Sequence, residues 1–323
     1  MANEFDIQLQ KLMTENLPQD VINLPVIMAE PWVLIDGDTE HPGMEGPIFD
    51  KEGNFYVCRS APVPGFNSTI IKITPGQEMS VFYQAGQCVP VGIAIHKDGR
   101  FFVACLTGEL LVLTPDGTLV RTLYPKHLGE SLSMNDLVFD QNGNLYITDF
   151  RGLSNNPIGG VYRLDADYNY EKVIQITGGL ALANGISLTP EGDALWIGES
   201  GRNAIVRIRL DQNGMMDHFA GLSYIYYNTG DCSPDSNKVD SDGNLYQTIM
   251  MGGRIIVLNK SGTPVTNVMV PGRQEGRNLM TPNLVIKPGT KQAYMLASGP
   301  DGSWVYTFTA LAEAQVLYSH MTG

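Results

Sequence analysis

One sequence pattern, an apolar strand followed by a glycine-containing polar turn and a second apolar strand, recurs six times along the chain. Clear copies are "GPIFDKEGNFYVC", "VGIAIHKDGRFFVAC" and "NDLVFDQNGNLYITD", and "PNLVIKPGTKQAYML" is a degenerate sixth copy. The glycines of the six turns are Gly53, Gly99, Gly143, Gly192, Gly243 and Gly289. Because these glycines are 44 to 51 residues apart, the chain is built from repeats of one supersecondary unit.

Most of these hairpins are followed by another strand and a second turn, as in "ELLVLTPDGTLV" and "AIVRIRLDQNGMMDHF". Each unit therefore holds about four short strands, which is the content of one propeller blade. The sequence predicts an all-β fold, a six-bladed β-propeller with a central divalent-metal site. Two β-sandwiches are the alternative, but regular spacing at blade length favours the propeller.

The predicted propeller is a single domain over residues 25–323, preceded by an N-terminal segment, residues 1–24. Within that segment, residues 6–16 are a candidate short helix. The early strand "VIMAEPWVLI" is expected to close the ring by joining the last blade.

The amino-acid composition disfavours several classes of protein. The 323 residues are 43% hydrophobic and 17% charged, as in a globular protein, and the net charge of -13 disfavours a nucleic-acid partner. No apolar stretch is long enough to span a bilayer, and the N-terminus lacks secretion-signal features, so we expect a cytoplasmic protein with no membrane partner. The four cysteines, Cys58, Cys88, Cys105 and Cys232, are scattered, which indicates reduced thiols rather than a zinc or disulfide framework.

A second regularity concerns polar residues at the start of the first strand of each unit. The residues eight positions before the turn glycines are Glu45, Val91, Asn135, Asn184, Asp235 and Thr281. In a propeller the first strand of each blade lines the central channel, so equivalent positions converge on the axis at one end. The Asn-Gly turn preference explains Asn184 alone, but it does not explain Glu45 or the shared position.

Two carboxylates that are buried together on an axis repel one another, and a divalent cation relieves that repulsion. We therefore predict metal ligands at Glu45, Asn135, Asn184 and Asp235, with a further oxygen from Ser236. All are hard oxygen donors, so Ca²⁺ is preferred, with Mg²⁺, Mn²⁺ and Fe²⁺ as alternatives. The histidines share no spacing that would build a metal site. An ion that only neutralises the channel and ties the blades together is the competing interpretation.

At these residues the sequence resembles the SMP-30/gluconolactonase/regucalcin-like family. The segments "ITDFRGLSNNPIGGVY", "ANGISL", "YYNTGDCSPDSNKVDSDGNLY" and "VMVPGRQEG" carry the resemblance, which extends over most of the chain. It implies a six-bladed propeller that hydrolyses lactones. It also implies metal ligation by Glu45, Asn184 and Asp235, a substrate or metal contact at Asn135, and an acid-base role for Asp235.

The resemblance thus predicts a hydrolase with a small-molecule lactone as its partner, and sugar, aliphatic and aromatic lactones all suit such a site. Candidates for substrate contact are Arg151 and Tyr227, together with Tyr226 and one of Met250 and Met251. Arg151 is equally compatible with an ion pair to Asp149, and the tyrosines with packing between blades.

Three other functions are alternatives to lactone hydrolysis. A phosphotriesterase-like hydrolase would use a similar calcium site, and a non-enzymatic calcium-binding propeller would bind the ion without turnover. A quinone-dependent sugar dehydrogenase is disfavoured, because the sequence has no secretion signal and no histidine and arginine set at the repeat positions.

Overall fold

The computed structural model describes residues 23–40, 43–227 and 232–321. Within this part of the chain the regular elements are β-strands and four short 3₁₀ turns, with no α-helix. None of its helices is long and apolar enough to cross a membrane. The candidate helix at residues 6–16 lies outside the described residues.

Strands are numbered in chain order from Val26–Met28 (β1) and Glu30–Asp36 (β2). The first three blades comprise Met44–Phe49 (β3), Phe55–Arg59 (β4), Ser68–Ile73 (β5) and Met79–Gly86 (β6); Pro90–Ile95 (β7), Phe101–Cys105 (β8), Leu110–Leu113 (β9) and Leu119–Leu123 (β10); and, after the small hairpin Lys126–His127 (β11) and Glu130–Ser131 (β12), Met134–Phe139 (β13), Leu145–Asp149 (β14), Gly159–Leu164 (β15) and Val173–Leu180 (β16). The last three comprise Ala183–Leu188 (β17), Ala194–Glu199 (β18), Ala204–Arg209 (β19) and Leu222–Tyr227 (β20); Ser233–Val239 (β21), Leu245–Met250 (β22), Arg254–Leu258 (β23) and Pro264–Met269 (β24); and Leu284–Ile286 (β25), Gln292–Gly299 (β26) and Gly302–Thr309 (β27). The strands of each blade pair in antiparallel order from the innermost outward, which confirms the predicted six-bladed propeller.

The ring is closed by the early strands, and they divide between two blades. β2 pairs antiparallel with β27 as the outermost strand of the sixth blade, as the sequence predicts. β1 instead pairs parallel with β24 of the fifth blade, so the expectation that the whole stretch joins the last blade is wrong. Ile27 packs on the apolar cluster between these two blades, and β1 covers the otherwise unpaired edge of β24.

Apolar clusters fill the gaps between neighbouring blades, one cluster for each of the six gaps. Between the second and third blades, for example, Phe102, Phe139 and Tyr170 meet edge to face. Each sheet is therefore covered on both faces, which explains why the inner strands of a blade, such as β7 and β8, are buried along their whole length rather than alternately.

The repeated "D-x-x-G-N" turns are all stabilised by the same hydrogen bonds between their aspartate and asparagine. In the first of them Asp50 accepts hydrogen bonds from the backbone N–H of Asn54 at 2.8 Å and from its side-chain amide at 2.7 Å. Asp140 with Asn144 and Asp240 with Asn244 repeat this arrangement. The repeat therefore encodes the turn chemistry as well as the strands.

The inner strands approach one another so closely that a side chain is excluded where they meet. A Cβ on Gly185 would lie 2.5 Å from the backbone nitrogen of Asn237 and 2.7 Å from the carbonyl oxygen of Asp235. A Cβ on Gly92 would lie 2.5 Å from the carbonyl oxygen of Asn135. Gly185 lies inside β17 rather than in a turn, so the "NG" step reflects blade packing and not turn formation.

The channel along the axis is lined by the inner strands of all six blades, mostly by apolar side chains, with Ser187 and Lys238 as the polar residues of these strands. Residues 314–319 cover its end on the side of the hairpin turns. Ala314 donates a backbone hydrogen bond to Thr290 at 3.0 Å, and Ser241 donates one to Glu313 at 2.8 Å. The other end of the channel, called the mouth below, lies where the inner strands begin.

Replacing Gly185 with alanine is expected to lower the free energy of unfolding by about 1–3 kcal/mol, because its Cβ would press on the backbone of the fifth blade. Urea denaturation measures this loss. Gly37→Ala is the matched control, since Gly37 is exposed and its Cβ would have no neighbour within 4 Å. Equal stability of the two variants would contradict close packing of the inner strands as the reason for Gly185.

Candidate metal site at the mouth of the channel

Four predicted ligands occupy equivalent places at the mouth. Glu45, Asn135 and Asn184 are the second residues of β3, β13 and β17, and Asp235 is the third residue of β21. These four residues are called the mouth cluster. Glu45 is mostly buried, and Asn135, Asn184 and Asp235 are 4–6% exposed. In each of the four strands the pairing register is interrupted by a bulge at or beside these residues. A bulge changes the direction in which a side chain points.

Burial raises the pKa of both carboxyl groups of the mouth cluster. Burial raises the pKa of Glu45 well above its ordinary value, and the charge of Asp235 raises it further. Burial likewise raises the pKa of Asp235 to about 7, opposed by a hydrogen bond from Asn184 and reinforced by the charge of Asp136. The protein alone therefore disfavours two negative charges at this place, which is the electrostatic condition for a cation site.

Two buried oxygens beside these carboxyls have no hydrogen-bond partner. One is Oδ1 of Asn184, and the other is Oγ of Ser236. A buried polar atom without a partner is costly, and its presence next to raised carboxyl pKa values indicates a ligand. The oxygens of Glu45, Asp136 and Asp235 do not all lie within 4.8 Å of one another, so an ion here would combine carboxylate with amide or hydroxyl oxygens. Such hard donors fit Ca²⁺.

The position of Asn184 is set by its neighbours. Its side-chain N–H donates to Ser200 Oγ at 3.2 Å, and Ser200 Oγ in turn donates to the carbonyl oxygen of Pro234 at 2.6 Å. Thr148 of the third blade donates to the carbonyl oxygen of Asn184 at 2.5 Å. The residue is thus fixed from both neighbouring blades, with Oδ1 left available.

Three residues at the mouth were missed by the sequence reasoning. Asp136 is 2% exposed and accepts an ion-paired hydrogen bond from Lys238 Nζ at 3.1 Å. Asn283, fully buried, donates to Glu45 Oε2 at 3.1 Å. Asp136, Lys238 and Asn283 lie seven, five and six residues before the turn glycines of their blades. A search at several positions of the repeat, rather than at position eight alone, would have found them.

The guanidinium of Arg151 is ion-paired with the fully buried carboxylate of Asp149. Its Nε lies 2.9 Å from both carboxylate oxygens, and Nη2 lies 2.8 Å from Oδ2. Asp149 also accepts from the backbone N–H of Ser133 at 3.0 Å. The ion pair that the sequence left open is present, and a quarter of the Arg151 side chain remains exposed at the rim.

Tyr227 is placed at the mouth end of the fourth blade but on its outermost strand. The register runs from Tyr227 through Ala204 and Glu199 to Ala183, which precedes Asn184. Three strand spacings amount to roughly 14 Å. Tyr227 is 58% exposed, and its ring stacks on Tyr224 with centroids 5.6 Å apart.

Of the adjacent methionines, Met250 ends β22 opposite Ser233, at the mouth end of the fifth blade. Met251 lies in the following turn with a left-handed φ of 61°. Their backbones are therefore in different conformations, so the two side chains do not share one face.

The comparisons with known proteins agree on one family. A family model described as the SMP-30/Gluconolactonase/LRE-like region matches residues 43–277. Lactonase drp35 of Staphylococcus saprophyticus is 34% identical over 311 residues, which cover 94% of this chain and 93% of that protein. Among solved structures, a calcium-binding protein, regucalcin, from Agrobacterium tumefaciens superposes with a TM-score of 0.72 at 16% identity, over 91% of this chain and 99% of that one. A gluconolactonase from Xanthomonas campestris superposes with a TM-score of 0.66 at 17% identity, over 82% and 85% of the two chains.

Replacing Arg151 with methionine is expected to lower the free energy of unfolding by about 2 kcal/mol, because it leaves the Asp149 carboxylate buried without its cation. The value is below that of a fully buried pair, since the guanidinium is partly exposed. Urea denaturation provides the measurement, with Arg100→Met as control for a more exposed ion pair. If Arg151→Met were as stable as the parent, the pair would have no structural role.

Proposed function

Because the chain belongs to the SMP-30/gluconolactonase/LRE-like family, we propose that it is a metal-dependent lactonase, which hydrolyses a cyclic ester to a hydroxy acid at the mouth of its channel. One observation supports this most directly. Two buried carboxyls with raised pKa values, Glu45 and Asp235, lie beside two unpartnered oxygens in a chain 34% identical to Lactonase drp35.

The proposed ligands of the cation are Glu45, Asn184 and Asp235, with Asn135 and Ser236 as further oxygen donors. Their hard oxygen chemistry favours Ca²⁺ over Mg²⁺, Mn²⁺ or Fe²⁺, because Ca²⁺ accepts many oxygens in flexible geometry. When bound, the cation would polarise the lactone carbonyl and keep Glu45 and Asp235 ionised. Asn283 holds Glu45 in place through its 3.1 Å hydrogen bond.

Asp235 is the proposed acid-base residue. Its carboxylate accepts a proton from the water that adds to the carbonyl carbon, and it returns this proton to the ring oxygen as the carbon–oxygen bond breaks. The bound cation would keep this carboxylate ionised for the first transfer, and the same carboxyl group, once protonated, is the acid for the second. The Asp136–Lys238 pair places an anion and a cation beside it, so the local field at Asp235 depends on that pair.

Substrate binding is proposed for Asn135, Arg151 and Tyr227. Asn135, which is buried in the mouth cluster, can donate its amide N–H to a substrate oxygen. Arg151 retains an exposed portion of its guanidinium at the rim, and Tyr227 lies farther out on the same end. The channel beneath the mouth is mostly apolar and is covered at its far end by residues 314–319, so the proposed substrate enters from the mouth side.

Asp235→Asn is expected to fold and to lose about 10²–10⁴-fold in lactonase activity, because the amide cannot carry the proton. Hydrolysis is measured on a panel of sugar, aliphatic and aromatic lactones, with a phosphotriester as an additional substrate. Asp242→Asn, an exposed carboxyl of the same blade at the turn end, is the matched control and should retain activity. Parental rates in Asp235→Asn would overturn its catalytic role, and turnover of the phosphotriester alone would overturn the lactonase.

Calcium at about 100 times its Kd is expected to raise the Tm by roughly 3–5 °C, because the ligand binds only the folded state. Differential scanning calorimetry measures the shift. Glu45→Gln should lose most of it, whereas Glu52→Gln, an exposed residue of the same blade, should keep it.

Chelation of divalent ions should abolish lactone hydrolysis, and added Ca²⁺ should restore it. Full activity after complete chelation would contradict metal dependence. A thermal shift with Ca²⁺ but no turnover of any lactone would instead identify a calcium-binding propeller without this activity.

A further inference from the structure

A second group of metal-ligating side chains lies between the first and second blades. Cys88 is in the loop that joins β6 to β7, Cys105 ends β8, and Glu109 precedes β9. The two sulfurs and a Glu109 carboxylate oxygen all lie within 4.8 Å of one another, and no other group of at least three His, Cys, Asp or Glu side chains within the described ranges meets this criterion. These three residues are called the thiol cluster.

The backbone around the thiol cluster is held by hydrogen bonds. Cys105 N–H donates to the Glu109 carbonyl at 3.0 Å, and Gly108 N–H donates to the Cys105 carbonyl at 3.0 Å, which closes the turn after β8. The loop is tied to this turn, because the N–H of Leu106 donates to the carbonyl of Val89 at 2.9 Å. The three side chains are therefore preorganised by the strands of one blade and the loop that enters it.

One donor atom of the cluster is left without a partner by the protein. Oε2 of Glu109 is buried and makes no hydrogen bond. Cys88 is partly exposed and Cys105 is buried, so the cluster is open on the Cys88 side. An unpaired carboxylate oxygen beside two thiols is unfavourable unless a cation is shared among them.

The two thiols of the cluster share a hydrogen bond that acts on them in opposite directions. A hydrogen bond from the Cys105 thiol lowers the pKa of Cys88 to about 7, although partial burial and the charge of Glu109 act in the opposite direction. That same hydrogen bond raises the pKa of Cys105, as does its burial. Lowering the pKa of Cys88 favours its thiolate, which is the form of cysteine that binds metals.

We propose that Cys88 Sγ, Cys105 Sγ and Glu109 Oε2 bind one thiophilic divalent cation of the zinc class. Tetrahedral zinc with Zn–S bonds of about 2.3 Å holds its donor atoms roughly 3.5–3.8 Å apart, which small side-chain rotations reach from the observed arrangement. Two thiol protons are released on binding, and a water fills the fourth position. Sulfur ligands distinguish this site from the oxygen-only mouth cluster, which favours a hard cation.

The proposed ion would tie the loop that connects two blades to the turn between β8 and β9 of the second blade. Its expected effect is on the stability of this corner of the ring and not on hydrolysis at the mouth. The site is independent of the proposed function, because none of its three residues belongs to the mouth cluster.

The experiment uses the full chain, kept reduced with a phosphine and titrated with Cd²⁺ as a spectroscopic probe. We expect one Cd²⁺ per chain with an ultraviolet thiolate-to-cadmium charge-transfer band, which Zn²⁺ displaces. Cys88→Ser and Cys105→Ser should each lose the band, and Glu109→Gln should keep it with an affinity weakened about tenfold or more. Cys232→Ser, which removes a thiol in another blade, and Glu52→Gln, which removes an exposed carboxylate of the first blade, should both show the band as the parent does.

Absence of a band in the reduced parent, or its persistence in Cys88→Ser, overturns the proposal. Because Cys105 is buried, Cys88→Ser is the decisive variant, and circular dichroism verifies that it folds. If thiol titration before reduction finds two thiols fewer than after it, and the reduced chain binds no Cd²⁺, the pair is a disulfide couple and the metal site is rejected.

Discussion

The close approach of neighbouring inner strands is the constraint on which the rest of the molecule depends. At Gly92 and Gly185 the backbone of the next blade fills the space of a side chain, so the strands converge as tightly as backbones allow. The residue before Gly185 is Asn184, and its side chain is thereby carried to the mouth. The packing of the blades and the position of the mouth cluster therefore have the same origin. Gly185 allows the inner strands of two blades to come into contact, and Asn184 beside it lies with the other residues of the mouth cluster.

That geometry creates an electrostatic problem, which the protein answers only in part. Asp136 is offset by Lys238 and Glu45 receives one amide hydrogen bond, yet burial still raises the pKa values of Glu45 and Asp235. Apolar residues at the positions of Glu45 and Asp235 would stabilise the fold without this electrostatic cost, and the second blade has such a residue, Val91, at the equivalent position. Retained carboxyls with incomplete compensation therefore support a functional origin for the mouth cluster.

Sequence periodicity was enough to predict the six blades, because turn chemistry and strand composition repeat together. It was also enough to bring Glu45 and Asp235 to one end of the channel, although their role as ligands stays a prediction. It did not predict Asp136 or Asn283, since they occupy other positions of the repeat and only the packed ring shows which of these face the mouth. The division of the early strands was missed as well, because edge pairing depends on which blade edge is left open, and no local pattern records that.

The distribution of polarity along the channel bears on the proposal that the chemistry takes place at one end. From the mouth toward the hairpin turns the inner strands present residues such as Ile48, Val138 and Val239, and residues 314–319 cover the far end. Lys238, which also lines the channel, is already paired with Asp136, so a cation or a polar substrate that moved deeper would lose hydration with little compensation. This distribution supports the proposal that the reacting groups meet at the mouth. Differences in substrate preference between such propellers then have to arise in the loops and strand ends around the mouth, where Arg151 and Tyr227 lie.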